Sequence, residues 1–182
     1  MTIRAGTPAD EDSCVAIWLA ALEHRDGFVP PESSRERAHT KFRQPIVRLG
    51  LAVPAGEIDA PASASARNGI DGIDGNDGND GFDGNGGIDG FALTVRASNE
   101  CALLELIAVA PGASARGTGG ALLDDAVAVA AASGYLCLDL WVRRGNDRAV
   151  ALYLSRGFEP TGEHEAHPLG GEPMLRYRLP LG

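Results

Sequence analysis

Between Leu103 and Ala121 the chain reads LLELIAVAPGASARGTGGA, an apolar strand-like run that passes through a Gly-rich turn into an alanine-rich helix. A helix start leaves backbone N–H groups without intrahelical acceptors, and the positive end of the helix dipole reinforces them. Placed at Arg116, Gly117, Thr118, Gly119, Gly120 and Ala121, such donors attract a pyrophosphate, and the glycines let it approach closely. A Walker A loop would need Gly-Lys-Ser/Thr, and no lysine is present; a dinucleotide fingerprint would need a third glycine where Leu122 stands. The turn therefore points to a phosphorylated cofactor of another kind, with a plain Gly-rich strand-to-helix connection as the alternative.

Other reactive side chains give weaker patterns. Cys14, Cys101 and Cys137 each sit in an apolar segment with no CxxC or metal-ligand spacing, so they read as buried free thiols in a reducing compartment. His164 and His167 are close in sequence, but no third ligand accompanies them, so no metal site is expected.

The elements that must position the turn alternate regularly. Thr2 to Arg4 reads as a short strand, followed by Thr7 as N-cap, Pro8 at the first helical position and Asp10 in the first turn. The helix should run to about His24, because Cys14, Val15, Trp18, Leu19 and Leu22 recur at three- and four-residue spacing. A second helix should begin at Ser33 or Ser34. Strands are expected at Val47 to Val53, Phe91 to Val95 and Leu103 to Val109, then a helix from about Gly119 to Ser133 and a strand from Tyr135 to Val142. A helix from Asn146 or Asp147 to Arg156 and strands at Phe158 to Gly162 and Met174 to Leu179 complete a mixed sheet.

Composition bounds the function. The 182 residues, 44% hydrophobic, suffice for one domain with a core. A formal net charge of −9 argues against nucleic acid, whose phosphates require clustered Lys and Arg. The N-terminus lacks a long apolar run and no segment offers about 18 uninterrupted apolar residues, so a cytoplasmic protein with no membrane contact is expected.

One segment departs from the rest. From Gly69 to Gly90 glycine recurs at every third position, and Asp71, Asp74, Asp77, Asp80, Asp83 and Asp89 supply −6 of the net charge. Collagen would need imino acids and three chains, which nothing here suggests. Calcium ligation by the aspartates is a second reading, but little apolar area offsets the cost of ordering Gly and Asp, so a solvated loop is preferred. Residues 59–89 are therefore an insertion at a hairpin tip of a single domain spanning 1–182, tolerable because loop-closure cost grows only logarithmically.

The array resembles the GNAT superfamily of acyl-CoA N-acyltransferases. Its pyrophosphate motif, Arg or Gln, two residues, Gly, one residue, then Gly or Ala, is matched by Arg116, Gly119 and Ala121 after a strand ending Val109 to Pro111. A second signature, Asn-x-x-Ala-x-x-x-Tyr followed by Gly-Phe, is matched by Asn146, Ala149, Tyr153, Gly157 and Phe158. The resemblance covers residues 1–56 and 90–182; the Gly/Asp repeat has no counterpart in it.

The resemblance implies an α/β (α+β) fold with a mixed, mostly antiparallel sheet flanked by helices, its fourth and fifth strands splayed to form a cofactor cleft. Backbone groups of Ile107, Ala108 and Val109 would pair with the pantetheine arm, Arg116 to Ala121 would bind the pyrophosphate, and Asn146 would border the cofactor. It implies acetyl-CoA or another acyl-CoA as co-substrate, a small-molecule or peptide amine as acceptor, and direct attack in a ternary complex; homodimers are common among relatives, and the sequence does not fix the oligomeric state. A non-catalytic acyl-CoA-binding module is the alternative.

Tyr153 would hydrogen-bond the departing thiolate as general acid, although proton transfer from a phenol near pKa 10 to a thiolate near 8.5 is uphill by about 2 kcal/mol. An alkylammonium near 10.4 must lose its proton at a cost of roughly 4.6 kcal/mol at pH 7, so a base is needed. Glu105 is the candidate, a carboxylate in an apolar strand four residues before Val109 and hence expected on the same side; the alternative is an ion pair with Arg96 or Arg143. Trp141 replaces a glutamate found in relatives that acetylate protein termini; it would line an acceptor pocket or fill the core, and core packing is the preferred reading.

Overall fold

Thr7 and Asp10 begin the first helix in the manner their side chains allow: the Thr7 N–H and hydroxyl both donate to the Asp10 carboxylate at 2.8 Å, which also accepts from Arg4 at 2.8 Å. The computed structural model describes residues 1–55, 87–113, 117–167 and 171–182. Strand β1 is Thr2–Ala5, and a 3₁₀ turn at Pro8–Asp10 leads into α1, Glu11–Asp26. Helix α1 stops at Gly27, whose φ of 76° is left-handed and whose N–H bonds the Glu23 carbonyl at 2.8 Å. Helix α2 is Glu32–Lys41.

The remaining elements are β2 (Ile46–Val53), β3 (Gly90–Arg96), β4 (Cys101–Val109), α3 (Thr118–Ala132), β5 (Cys137–Arg143), α4 (Asp147–Leu154), β6 (Glu159–Glu165) and β7 (Met174–Pro180). Seven strands form one sheet in the order β1-β2-β3-β4-β5-β7-β6, antiparallel throughout except where α3 carries the chain from β4 to a parallel β5. Cys14, Val15 and Ile17 of α1, with Ala38 of α2, pack on one face; Leu122, Leu123, Ala126 and Ala130 of α3, with Tyr153 of α4, pack on the other. The strand β3 between them is buried from Gly90 to Val95, as a central strand covered on both faces must be.

Two irregularities shape the functional end. On β4, Leu106 faces Leu93 and Leu104 faces Thr94, so Glu105 is an extra residue without a β3 partner. This bulge reverses the side-chain alternation: Leu103, Leu106 and Ala108 pack toward α1 and α2, whereas Leu104, Ile107 and Val109 pack toward α3 and α4. Simple alternation had put Glu105 with Val109; the bulge instead leaves it against Lys41 of α2, its side-chain partner. The second irregularity is the end of pairing between β4 and β5, which runs only from Cys101–Cys137 to Leu104–Leu140. Beyond it β5 stays paired with β7 while β4 stays paired with β3, so the two strands part.

The shared register sets Cys101 beside Cys137 at a Cα separation of 4.7 Å, and the two form a disulfide. Of the three cysteines expected as free thiols, only the buried Cys14 is one; a separation of 36 residues carries no local motif, and the contact arises only from the parallel pairing. Closing a loop of that length removes unfolded-state entropy worth about 4 kcal/mol in the chain-entropy model. Reduction, or Cys101→Ala with Cys137→Ala, is expected to lower the thermal midpoint by several degrees or more; an unchanged midpoint would contradict a bond formed in solution.

Beside the disulfide, the nearly inaccessible Asp139 accepts from Arg178 at 2.7 and 2.9 Å and from Arg176 at 2.5 Å. Burial opposes its charge, but the two guanidinium groups outweigh it and hold the carboxyl below its usual range. Cys101, Cys137 and Asp139 lie close enough to resemble a metal-ligand set, yet both sulfurs and the carboxylate are already engaged.

Strands β2 and β3 are antiparallel neighbours with Ala52 facing Gly90, so the chain leaves and re-enters the sheet at one point. Most of the Gly/Asp segment lies outside the described residues. At its C-terminal edge Ile88 is buried in the α1/α2 layer, and Asp89 is bonded to Ala52 and Ala110, so these two residues belong to the packed body.

Candidate active site

The parting of β4 and β5 opens a cleft of about 520 Å³. One wall is Ile107, Ala108 and Val109, whose strand edge has lost its β5 neighbour and so presents backbone groups to a ligand. The other wall is the start of α3 and one face of α4, with α1 at the rim.

Gly117 caps α3 with φ 76°, a left-handed conformation that suits glycine, and the next bond of the helix runs from the Ala121 N–H to the Gly117 carbonyl at 3.1 Å. Gly117, Gly119 and Gly120 line the cleft. A Cβ at Gly119 would lie 3.6 Å from Leu152 and 3.7 Å from Val109, so its absence keeps open the space between α4 and β4. Thr118 and Ala121 are not among the lining residues: Thr118 is buried, and its hydroxyl donates to the Ala113 carbonyl at 3.3 Å to brace the turn. Arg116 lies outside the described residues.

On α4, Asn146 borders the cleft while its side-chain oxygen accepts from the Ala149 N–H at 3.3 Å, capping the helix. Tyr153 follows two turns later and packs against Phe158 at 5.9 Å between ring centroids. Its ring is buried, and that burial pushes the phenol up to about 12. At such a value the hydroxyl is a permanent hydrogen-bond donor at neutral pH, and yielding its proton to a thiolate near 8.5 is uphill by about 5 kcal/mol.

Tyr153 also lines a second, smaller cavity of about 160 Å³ that continues from the cleft past Ile107 and Asn146. Glu105 sits on its wall, paired with Lys41 and with neither arginine considered from the sequence. Trp141 lines this cavity, half-buried, with the Arg176 guanidinium 5.8 Å from its ring centroid, so it is a wall residue where core packing was expected. His167 reaches the cavity and pairs with Arg143 at 3.2 Å, whereas His164 is exposed on β6.

Several lining residues carried no signal in the sequence. Arg25 and Arg148 bring positive charge to the larger cleft, and Arg37, Lys41 and Arg143 bring it to the smaller cavity. Arg37 and Lys41 are one turn apart on α2, but they meet Arg25 of α1 and Arg143 of β5 only in the folded chain. Among the described residues no helix is long and apolar enough to cross a membrane.

Comparison with known proteins agrees with this geometry. Residues 81–158 match the model of the acetyltransferase (GNAT) family. No curated protein matches the sequence. Among solved structures, the ribosomal-protein-S18-alanine N-acetyltransferase from Escherichia coli is 20% identical at a TM-score of 0.68, covering 100% of this chain and 94% of that one. A GNAT family acetyltransferase from Elizabethkingia anophelis with acetyl-CoA bound is 19% identical at 0.62, covering 99% and 97%. An aminoglycoside 6'-acetyltransferase type Ii is 13% identical at 0.65, covering 100% and 98%. The match takes in β4, the glycine-capped α3, the parted β5 and Tyr153 on α4, and the chain as a whole has the fold of these GNAT acetyltransferase structures.

Proposed function

We propose that this protein transfers an acetyl or other short acyl group from acyl-CoA to an amine, by direct attack in a ternary complex. The observation that carries this reading is one cleft joined to a second cavity at Tyr153, with a cofactor-sized groove on one side and a carboxylate, Glu105, on the other. That the Elizabethkingia anophelis relative binds acetyl-CoA supports the same assignment.

The residues present suit such a ligand. The orphan amides opening α3 and the basic rim residues Arg25 and Arg148 would hold a diphosphate, and the free edge of β4 from Ile107 to Val109 would pair with amide groups of an extended arm. When bound, acyl-CoA supplies an activated thioester. Tyr153 then donates a hydrogen bond to the sulfur, and Glu105 draws the proton from the attacking nitrogen, directly or through water, once the nitrogen displaces Lys41 from the carboxylate. Thiol release from acetyl-CoA, measured with a panel of amines, tests the reading: release above the hydrolytic background with at least one amine is expected, and binding without any release would leave only a ligand-binding role.

Arg116 is assigned to the pyrophosphate. Arg116→Ala is expected to weaken CoA binding about 10- to 150-fold, the loss of a charge-assisted hydrogen bond of about 1.5–3 kcal/mol. An unchanged calorimetric affinity would remove the residue from the site. Residues 59–87 are assigned to a hairpin insertion of a single domain. Excising Gly69 to Gly86 is expected to leave folding and CoA affinity intact, since the chain leaves and re-enters the sheet where Ala52 faces Gly90; loss of the folded circular-dichroism spectrum would contradict that placement.

A further inference from the structure

The smaller cavity has a charge opposite to that of the protein. Arg25, Arg37, Lys41 and Arg143 line it against the single lining carboxylate of Glu105, in a chain whose net charge is −9. Lys41 is matched by Glu105, and Asp26 behind the wall serves both Arg25 at 2.6 Å and Arg143 at 3.5 Å. Arg37 has no ion pair among the described residues, although it is only half-exposed. Among the residues lining this cavity positive charge is in excess, with Glu165 in the adjoining pocket and Glu172 beyond Arg143 offsetting part of it, and the cavity is about a third the size of the adjoining cleft.

From this, and resting on the acyl-transfer reading above, we propose that the acceptor is a small amine that carries its own carboxylate, an amino acid, whose anionic group is taken by Arg37 and Arg143 while its nitrogen faces Glu105. The guanidinium fork matches a carboxylate in two parallel hydrogen bonds, while the wall's own carboxylate, Glu105, is already matched by Lys41 and only Glu165 of the adjoining pocket adds another anion. Polyamines and aminoglycosides would bring several positive charges into a cavity already positive. The crowding is felt by the side chains themselves: burial and the nearby Arg25 and Arg37 push the Arg143 guanidinium down, with Asp26 and Glu172 only opposing them. An incoming carboxylate relieves that repulsion, and the same positive surroundings favour the neutral, nucleophilic form of the amine.

The test uses the full chain, acetyl-CoA and matched acceptors: each free amino acid, its carboxamide, spermidine, and a short acidic peptide. CoA binding is first established by calorimetry, so failure there would remove the acyl-transfer reading itself and be seen separately. With binding in hand, at least one free amino acid is expected to release thiol with kcat/KM 10-fold or more above its carboxamide and above spermidine. Arg37→Gln should collapse that acid-to-amide ratio toward one while leaving CoA affinity unchanged, and Arg143→Gln should do the same if Arg37→Gln fails to fold. Preference for the carboxamide, for spermidine or for the peptide, no turnover of any free amino acid, or a ratio unmoved in a folded variant would each overturn the inference.

Discussion

Tyr153→Phe is expected to lower kcat about 10- to 100-fold while CoA affinity stays within about twofold. Tyr153 lines both cavities with its ring packed on Phe158, and no hydrogen bond to its hydroxyl is formed among the described residues, so removing it deletes one donor and disturbs no network. A hydrogen bond to a charged group contributes about 1.5–3 kcal/mol, and that to a sulfur gaining charge is made only as the bond breaks, which places the loss in kcat. Because burial pushes this phenol up to about 12, the wild-type rate should show no alkaline fall attributable to it between pH 7 and 10. Separate measurement of kcat and of CoA affinity decides the matter: an equal loss in both would make Tyr153 a binding residue, and no loss would remove it from the reaction.

Glu105→Gln is expected to have an effect of similar or greater size, with a different dependence on pH. A positioned general base contributes typically 10²- to 10⁴-fold, so kcat/KM at pH 7 should fall by about 10² or more. An alkylamine acceptor of pKa near 10.4 is about one part in a few thousand neutral at pH 7 but roughly a third neutral at pH 10, so the deficit should shrink as pH rises. The sign is set by the acceptor: raising pH supplies the free base that the missing carboxylate no longer generates. The substitution also deprives Lys41 of its partner, so a thermal melt belongs beside the kinetics. A pH-independent deficit would mean that Glu105 acts by placing Lys41 and the cavity wall.

What could be read from the chain and what could not follows the range of the interactions involved. The helices are announced locally, by the Thr7–Pro8–Asp10 start and the apolar spacing from Cys14 to Leu22, and each lies within a residue or two of its expected place. The larger cleft was legible because the Gly-rich turn beside it is contiguous in sequence, and Asn146 and Tyr153, which also line it, stand close together around one short helix. The smaller cavity was not, since Arg37 and Lys41 on α2 meet Glu105 on β4 and Trp141 and Arg143 on β5 only after the sheet has formed. The bulge at Glu105 changes the side of one residue without changing composition or period in any visible way, so strict alternation misplaced it. Cys101 and Cys137 were read as separate apolar residues because nothing in their local neighbourhoods says that β4 and β5 run side by side.

The buried phenol at the meeting point of cleft and cavity matters only if a coenzyme lies in the groove between β4 and the opening of α3. Isothermal titration of the purified chain with coenzyme A addresses this most directly. A saturable heat with one site per chain is expected, weakened in Arg116→Ala and preserved in Tyr153→Phe. A titration indistinguishable from the heat of dilution, with a chain shown to be folded, would contradict it.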